Sequence, residues 1–304
     1  MDLSVFDQDT IRDYRNRFMN LHQNHTWTNL EDELFLRKIG AVGVSQDDNK
    51  IHPTIAGLLM FGYEYEIVRE FPGYFLDYQE RFDESIRWTH RTISSSGDWS
   101  GNLFDFYFRV IYRLSSDLNI PFVLNGITRV DNTELHVALR EALLNTLVHA
   151  DYYGRQGTVI IRTPQMITFS NPGDMRISLR AAVGGGVSDP RNAVLMKMFS
   201  LIGIGERAGM GIPGLLDIWQ RLTGVAPIYV SQFSPNRVTV SMQIKTIGDK
   251  SAIKGGVGDK SAIKGGVGDK SAIKCGRCNK ETSSVEQKLC IIIEYMQMHR
   301  VVTV

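Results

Sequence analysis

This chain of 304 residues has few cysteines, almost no net charge and no long apolar run. Its three cysteines are an odd number, which argues against a disulfide framework. The 34 basic and 33 acidic side chains leave a net charge of +1, so no overall field favours nucleic acid or an anionic membrane. No apolar run approaches the roughly 20 residues that span a bilayer, and the acidic residues 1–10 lack the apolar core of a signal peptide. These absences predict a cytoplasmic protein with no membrane partner.

The length and the composition predict a globular protein with more than one part. A chain of 304 residues exceeds the usual size of a single domain, and 43% hydrophobic with 22% charged residues is ordinary for a soluble protein. We predict four regions from the changes of pattern: a helical and α+β region (1–125), a mixed α+β domain (126–246), a repeat linker (247–282) and the start of a truncated winged helix (283–304).

Residues 1–125 carry the periodicities of both helices and strands. Thr10 is a candidate cap for a helix through Arg17, and Pro53 stands at a favourable first helical position before an apolar segment that ends at Gly62. Further predicted helices are 30–39 and 101–118, and predicted strands are 74–81, 86–93 and 122–130.

The apolar periodicity of residues 126–246 predicts a mixed α+β domain that begins with an amphipathic helix over 138–152. Predicted strands are 158–162, 166–170, 228–230 and 238–244. One further helix is expected to begin at Asp189-Pro190 and run towards Leu201, and another to follow the glycine-rich segment 203–214 and end near Leu222.

A ten-residue repeat begins at Ile247 and recurs almost unchanged at 257–266 and 267–276. Each copy is too short and too poor in apolar residues for a solenoid unit, so the segment is interpreted as a flexible linker. It is basic, with seven Lys and one Arg against three Asp over 249–280. A tether that touches nucleic-acid phosphates is the alternative, and a solvated linker is the favoured interpretation.

Cys275 and Cys278 have the spacing of a zinc ribbon, and Cys290 and His299 could complete four ligands. A second closely spaced cysteine pair is missing, however. We therefore favour incidental thiols within a linker over a metal site.

Three segments of 126–246 together predict a nucleotide site. Glu141, Asn145 and His149 are four residues apart, which places a base, a metal-ligating amide and an imidazole on one helix face. A tight turn containing Asn171 and Gly173 follows an apolar strand, and a glycine cluster that includes Gly209 and Gly211 leads into a helix. Backbone N–H groups of such a cluster can approach phosphates closely.

These segments resemble a known family. Glu141–Tyr152, Ser170–Asp174, Pro190–Asn192 and Gly205–Ile212 are similar to the RecG-like C-terminal family of transcriptional regulators, which is related to the Bergerat-fold (GHKL) ATPases. The resemblance covers about residues 10–245. It implies an α+β fold in which a Bergerat-like sandwich of helices on a mixed sheet, over 126–246, follows the smaller α+β region.

The resemblance also implies roles for individual residues, with ATP and Mg²⁺ as cofactors. Glu141 would be the water-activating base, Asn145 the magnesium ligand and Asn171 the residue that faces adenine. Gly209 and Gly211 would hold phosphates, and 175–208 would form a lid over the nucleotide. The active ATPases usually have Asp where this chain has Asn171, and a second glycine where it has Met175.

The expected function is therefore that of a transcriptional regulator module with an ATP-binding-like domain. It is expected to be a homodimer and to reach DNA through flanking domains, which family members carry before and after this region. One alternative is a Mg²⁺-dependent ATPase with Glu141 as base, and another is a dimerisation scaffold without ligand. No Walker sequence is present, which argues against a motor helicase.

Overall fold

The computed structural model describes residues 1–116, 134–186, 189–205 and 211–244, together with the backbone of short strands at 124–125 and 128–129. Residues 1–245 form one compact unit. The predictions for Gly209, the repeat linker, the Cys275/Cys278 pair and the truncated winged helix lie outside the described residues.

Helices account for much of the described chain. They are α1 (Gln8–Leu21), α2 (Asp32–Ile39), α3 (Ile55–Phe61), α4 (Glu64–Glu70), α5 (Leu103–Ser116), α6 (Glu134–Val148), α7 (Leu179–Gly184), α8 (Ala193–Leu201) and α9 (Gly211–Thr223). None of these helices is long and apolar enough to cross a membrane.

The strands form a six-stranded mixed sheet and two small hairpins. They are β1 (Val42–Val44), β2 (Ile51–Pro53), β3 (Leu76–Glu80), β4 (His90–Ile93), β5 (Leu124–Asn125), β6 (Thr128–Arg129), β7 (Thr158–Arg162), β8 (Met166–Pro172), β9 (Ile228–Phe233) and β10 (Asn236–Gln243). The sheet has the order β4-β3-β7-β8-β10-β9, in which only β3 and β7 are parallel. The predicted mixed α+β class is confirmed, and the sheet joins strands from both predicted regions, 1–125 and 126–246.

One face of the sheet is apolar and carries the helices. Buried side chains stand in one row across five neighbouring strands: Tyr78, Ile160, Phe169, Val240 and Tyr229. This row follows from the two-residue period of a strand, which brings every second residue to the same face. Helix α6 packs on β8 and also contacts α5 and α9, so it lies at the centre of the helical layer.

The N-terminal helices join this layer through aromatic packing. The ring of Tyr14 in α1 contacts the rings of Phe35, Phe61 and Phe104 at centroid distances of 5.1–6.2 Å. The Tyr14 hydroxyl donates to the Met198 carbonyl in α8 at 2.8 Å. Because all of these side chains are buried, α1 is fixed against the helices that follow it.

Two predicted helix starts are wrong. The carboxylate of Asp7 caps α1 by accepting from the Asp9 N–H at 3.2 Å, whereas Thr10 lies buried inside the helix. Thr54 caps α3 by accepting from the Gly57 N–H at 3.0 Å, and Pro53 is the last residue of β2. In both cases the residue that begins the helix has an oxygen in reach of an otherwise unbonded N–H.

Three further differences lie later in the chain. The predicted strand 122–130 is replaced by the pair β5 and β6, consistent with the Asn125-Gly126 hairpin signal inside it. Helix α7 was not predicted, although Ser178 caps it by accepting from the Ala181 N–H. Helix α8 begins at Ala193 rather than at Asp189-Pro190. The other predicted elements are present with somewhat different bounds.

Candidate functional site

A cavity of about 480 Å³ lies between α6, the end of β8, the start of α9 and the apolar face of β9 and β10. Five residues predicted for the nucleotide site line it: Glu141, Asn145, His149, Asn171 and Gly211. Its volume is within the range of small-molecule sites. The structure therefore brings together residues from three segments that are well separated in the sequence.

Helix α6 supplies the polar wall of this cavity. Leu139, Leu143 and Leu147 bury the opposite stripe of the helix in the core. Glu141 and Asn145 are one turn apart, and the Asn145 amide donates to a Glu141 carboxylate oxygen at 3.1 Å. The eight residues from Glu141 to His149 correspond to about 12 Å along the helix axis, which gives the cavity two distinct ends.

Burial shifts the titration of both ionisable groups on this wall. Desolvation raises the pKa of Glu141, and the hydrogen bond from Asn145 partly opposes this shift. Desolvation, followed by the positive charge of Arg191, lowers the pKa of His149. His149 is consequently a neutral imidazole at pH 7, and Glu141 is a stronger base than an exposed glutamate once it is ionised.

The end of β8 supplies an amide to the same cavity. Asn171 is 5% exposed, pairs with Val238 of β10 on the apolar face, and donates its side-chain N–H to the Pro172 carbonyl at 3.2 Å. This orientation leaves the side-chain oxygen as the acceptor that can face a ligand. Gly173 follows with φ +95°, a conformation that favours glycine, and is not among the lining residues. Gly173 thus shapes the turn that presents Asn171.

Two residues that the sequence did not single out individually clamp the C-terminal end of α6. The Asn192 side chain donates to the carbonyls of Val148 and Ala150, at 3.0 and 2.8 Å. Arg191 donates to the His149 carbonyl at 3.3 Å and forms an ion pair of 2.8 Å with Asp174, in the turn after β8. These bonds satisfy carbonyls at the helix end and fix α6 against the turn that carries Asn171.

Charge is unevenly distributed in the described lining. Arg176 forms an ion pair of 3.1 Å with Asp189, and Asp174 is paired with Arg191. Glu141 has the amide of Asn145 as its hydrogen-bond partner and lies at the other end of the wall. The remaining lining is largely apolar: Ala142, Met175, Ile177, Ala182, Met196, Ile212, Pro213, Tyr229, Val238 and Val240.

The donor set suits a magnesium nucleotide better than a bare metal ion. Within the described residues, no group of three or more His, Cys, Asp and Glu side chains could hold a metal ion. Mg²⁺ commonly takes one or two protein oxygens and completes its shell with phosphates and water. The oxygens of Glu141 and Asn145 fit that role, and the apolar lining beside Asn171 fits a nucleobase.

Comparisons with known proteins give a match to a family model over part of the chain and a match to a solved structure. Residues 1–77 match the family described as Domain of unknown function (DUF8451). The crystal structure of the DIP2311 protein from Corynebacterium diphtheriae is similar with a TM-score of 0.58 and 15% sequence identity, over 81% of this chain and 39% of that one. At that identity the similarity shows a shared fold alone, and this chain spans about two fifths of DIP2311. No curated protein matches the sequence.

Proposed function

We propose that the cavity between α6 and β8–β10 binds an adenine nucleotide with Mg²⁺. The observation that carries this proposal is the convergence of Glu141, Asn145, Asn171 and Gly211 on one cavity. The same residues carry the resemblance to the RecG-like C-terminal regulators and the Bergerat-fold ATPases. A Bergerat-like arrangement of α6 on the mixed sheet is part of the proposal.

The two ends of the cavity have different chemistry, which orients the nucleotide. Asn171 offers an acceptor for the exocyclic amine of adenine, beside the apolar side chains of Val238 and Val240. Glu141 and Asn145 offer oxygens to the cation that accompanies the phosphates. The base is therefore placed against β8 and the phosphates towards the N-terminal half of α6.

The biological output that we propose is regulation, in which nucleotide binding is sensed and flanking domains contact DNA. This part of the proposal is supported by the family resemblance. Residues 1–245 themselves carry 24 basic and 27 acidic side chains, a net charge of −3, which does not favour contact with nucleic acid.

Hydrolysis of ATP is a second candidate, favoured by the raised pKa of Glu141 and its hydrogen bond to Asn145. Glu141 would accept a proton from the attacking water, and Asn145 would hold the carboxylate in place. Glu141→Gln is expected to reduce phosphate release at least about 100-fold, the usual contribution of a general base, while ATP binding persists. Wild-type protein without phosphate release above a no-enzyme blank would rule this candidate out.

Binding is tested by isothermal titration of the full chain with ATP and Mg²⁺. Asn171→Leu removes the acceptor at nearly constant volume and is expected to weaken ATP binding about tenfold, the equivalent of about 1.4 kcal/mol. Ser170→Ala is the matched control, because Ser170 is the preceding residue of β8 and its side chain bonds Thr239 and Arg237 on the other face. We expect this control to bind ATP within about twofold of wild type. The proposal fails if wild type binds no ATP or binds GTP equally well.

A further inference from the structure

The two edges of the six-stranded sheet differ in composition. The edge strand β4 has four residues, carries His90 and Arg91, and ends at Ile93, whose carbonyl accepts from the Trp99 indole. The opposite edge strand β9 has the sequence Ile-Tyr-Val-Ser-Gln-Phe, with no charged residue and no proline. Natural proteins use charges, prolines and very short strands to keep sheet edges from pairing with other chains. The β9 edge lacks these protective features.

The direction of the backbone groups in β9 follows from the hydrogen bonds of the neighbouring strands. The Thr163 N–H donates to the Met166 carbonyl, so every second residue of β8 from Met166 onwards faces β7. The intervening residues of β8 face β10, in agreement with the bond from the Gly173 N–H to the Asn236 carbonyl. The even-numbered residues of β10 therefore face β8, and its odd-numbered residues face β9.

Tyr229 and Ser231 direct their backbone groups to the open side of β9. The even-numbered residues of β9 stand opposite the β10 residues that face this strand, and they form the ladder with it. The N–H and C=O groups of Tyr229 and Ser231 alternate with them and point away from the sheet. Within the part of the chain that the structure describes, no backbone hydrogen bond reaches these groups. The edge thus offers donors and acceptors to a further strand.

Apolar side chains are exposed at both ends of this edge. Phe233, the last residue of β9, is 76% exposed. Leu222 and Val225, shortly before the strand begins, are 47% and 37% exposed. Because side chains alternate along a strand, Phe233 is on the same face as Tyr229, which is the face that carries the helices. Unpaired backbone groups flanked by apolar side chains favour the addition of another strand.

A second copy of this chain fits the edge because the edge is complementary to itself. A two-fold axis at Val230 sets two copies of β9 antiparallel and pairs Tyr229 of each copy with Ser231 of the other through about four hydrogen bonds. The same axis brings Phe233 of each copy opposite Pro227 of the other, next to the exposed Val225. Since β9 carries no charge, no like charges oppose each other across the axis.

We propose that β9 pairs with β9 of a second copy and joins two six-stranded sheets into one continuous sheet across a homodimer. The interaction surface is β9 together with Leu222 and Val225. This inference goes beyond the nucleotide site and does not depend on it, although Tyr229 also lines that cavity. A failure to bind ATP would therefore leave it unchanged.

Sedimentation equilibrium of the full chain, at concentrations up to about 100 μM, tests the dimer. Ser231→Pro removes an N–H that points to the open side and leaves the ladder with β10 intact, so it is expected to weaken dimerisation at least about tenfold. Phe233→Ser is expected to weaken it by a similar factor. Circular dichroism of each variant at a dilution where wild type is monomeric checks that its fold is unchanged.

Each variant has a matched control. Ser231→Thr keeps the N–H at the same position, and Tyr112→Ser removes an aromatic side chain of similar exposure, 73%, from α5. Both controls are expected to dimerise within about twofold of wild type. A dimer that Ser231→Pro and Phe233→Ser leave unchanged would overturn the inference.

Hydrogen exchange of the wild-type protein locates the interface. The amide protons of Tyr229 and Ser231 are expected to exchange more slowly in the concentrated dimer than after dilution to the monomer. Wild type that stays monomeric at about 100 μM would overturn the inference. Slow exchange of these two amides in such a monomer would show that the edge is covered within one chain.

Discussion

The two ends of α6 differ in how completely their polar groups are satisfied by the protein itself. At the C-terminal end, Asn192 and Arg191 bond the carbonyls of Val148, His149 and Ala150. Towards the N-terminal end, Glu141 has an amide rather than a cation as its hydrogen-bond partner, and the hydroxyl of Tyr107 is unbonded. The first arrangement stabilises the fold without a ligand, and the second leaves the Glu141 carboxylate at the cavity with an amide as its partner.

This difference predicts that removing one polar group at each end changes the free energy of unfolding by very different amounts. Asn192→Ala removes the side-chain donor of the Ala150 carbonyl and one of the two donors of the Val148 carbonyl, which keeps the backbone N–H of residue 192. It is expected to lower the free energy of unfolding by about 2 kcal/mol. Tyr107→Phe removes a hydroxyl that has no partner and is expected to change it by less than about 0.5 kcal/mol in ligand-free protein. Urea unfolding of both variants measures the contrast.

Asn16→Ala is the control for the clamp, because Asn16 is an exposed residue of α1. It is expected to stay within about 0.5 kcal/mol of wild type. A loss in Tyr107→Phe as large as that in Asn192→Ala would contradict the distinction between the two ends of α6.

The pH dependence of stability tests the environment of His149, at the C-terminal end of α6, and the expected effect is smaller. The folded-state pKa of His149 lies below its ordinary value of 6.5, so below pH 6.5 the unfolded chain binds more protons than the folded one. Stability is therefore lost as the pH falls through that interval. His149→Asn should lose less stability than wild type when the pH is lowered from 7.5 to about 5, in unfolding experiments at several pH values.

His52 provides a control of opposite sign. Bonds to the Met1 carbonyl and to Asp48 raise its pKa, so its contribution to stability is present below pH 6.5 and disappears as the pH rises through the folded-state pKa. His52→Asn should accordingly lose more stability than wild type at low pH. If both variants shift the profile in the same direction, the environment assigned to His149 is wrong.

The sequence predicted the parts of this site that depend on local periodicity. The apolar stripe and the four-residue spacing of Glu141, Asn145 and His149 are properties of one helix, and the alternation in β8 placed Asn171 at a strand end. Each of these depends on neighbours within about two turns or one strand. The sequence analysis combined these local patterns into one site, and in the structure these residues line one cavity.

The contacts made across long sequence separations were not predicted. Arg191 and Asn192 belong to a segment that carries the family resemblance, but they were predicted to lie inside a helix that begins at Asp189-Pro190. Their bonds to α6 span 42 or 44 residues. Tyr107 lines a cleft that forms only when α1, α5 and α6 pack together. Helix caps failed for a related reason, since several polar residues near each start could serve and the final geometry selected Asp7 and Thr54.

A crystal structure of the full chain with Mg²⁺ and a non-hydrolysable ATP analogue tests the central claim most directly. We expect the adenine ring against Asn171 and a Mg²⁺ ion at the oxygens of Glu141 and Asn145. Side chains that fill the space between α6 and β8, or a nucleotide bound elsewhere while this cavity stays empty, would contradict the account.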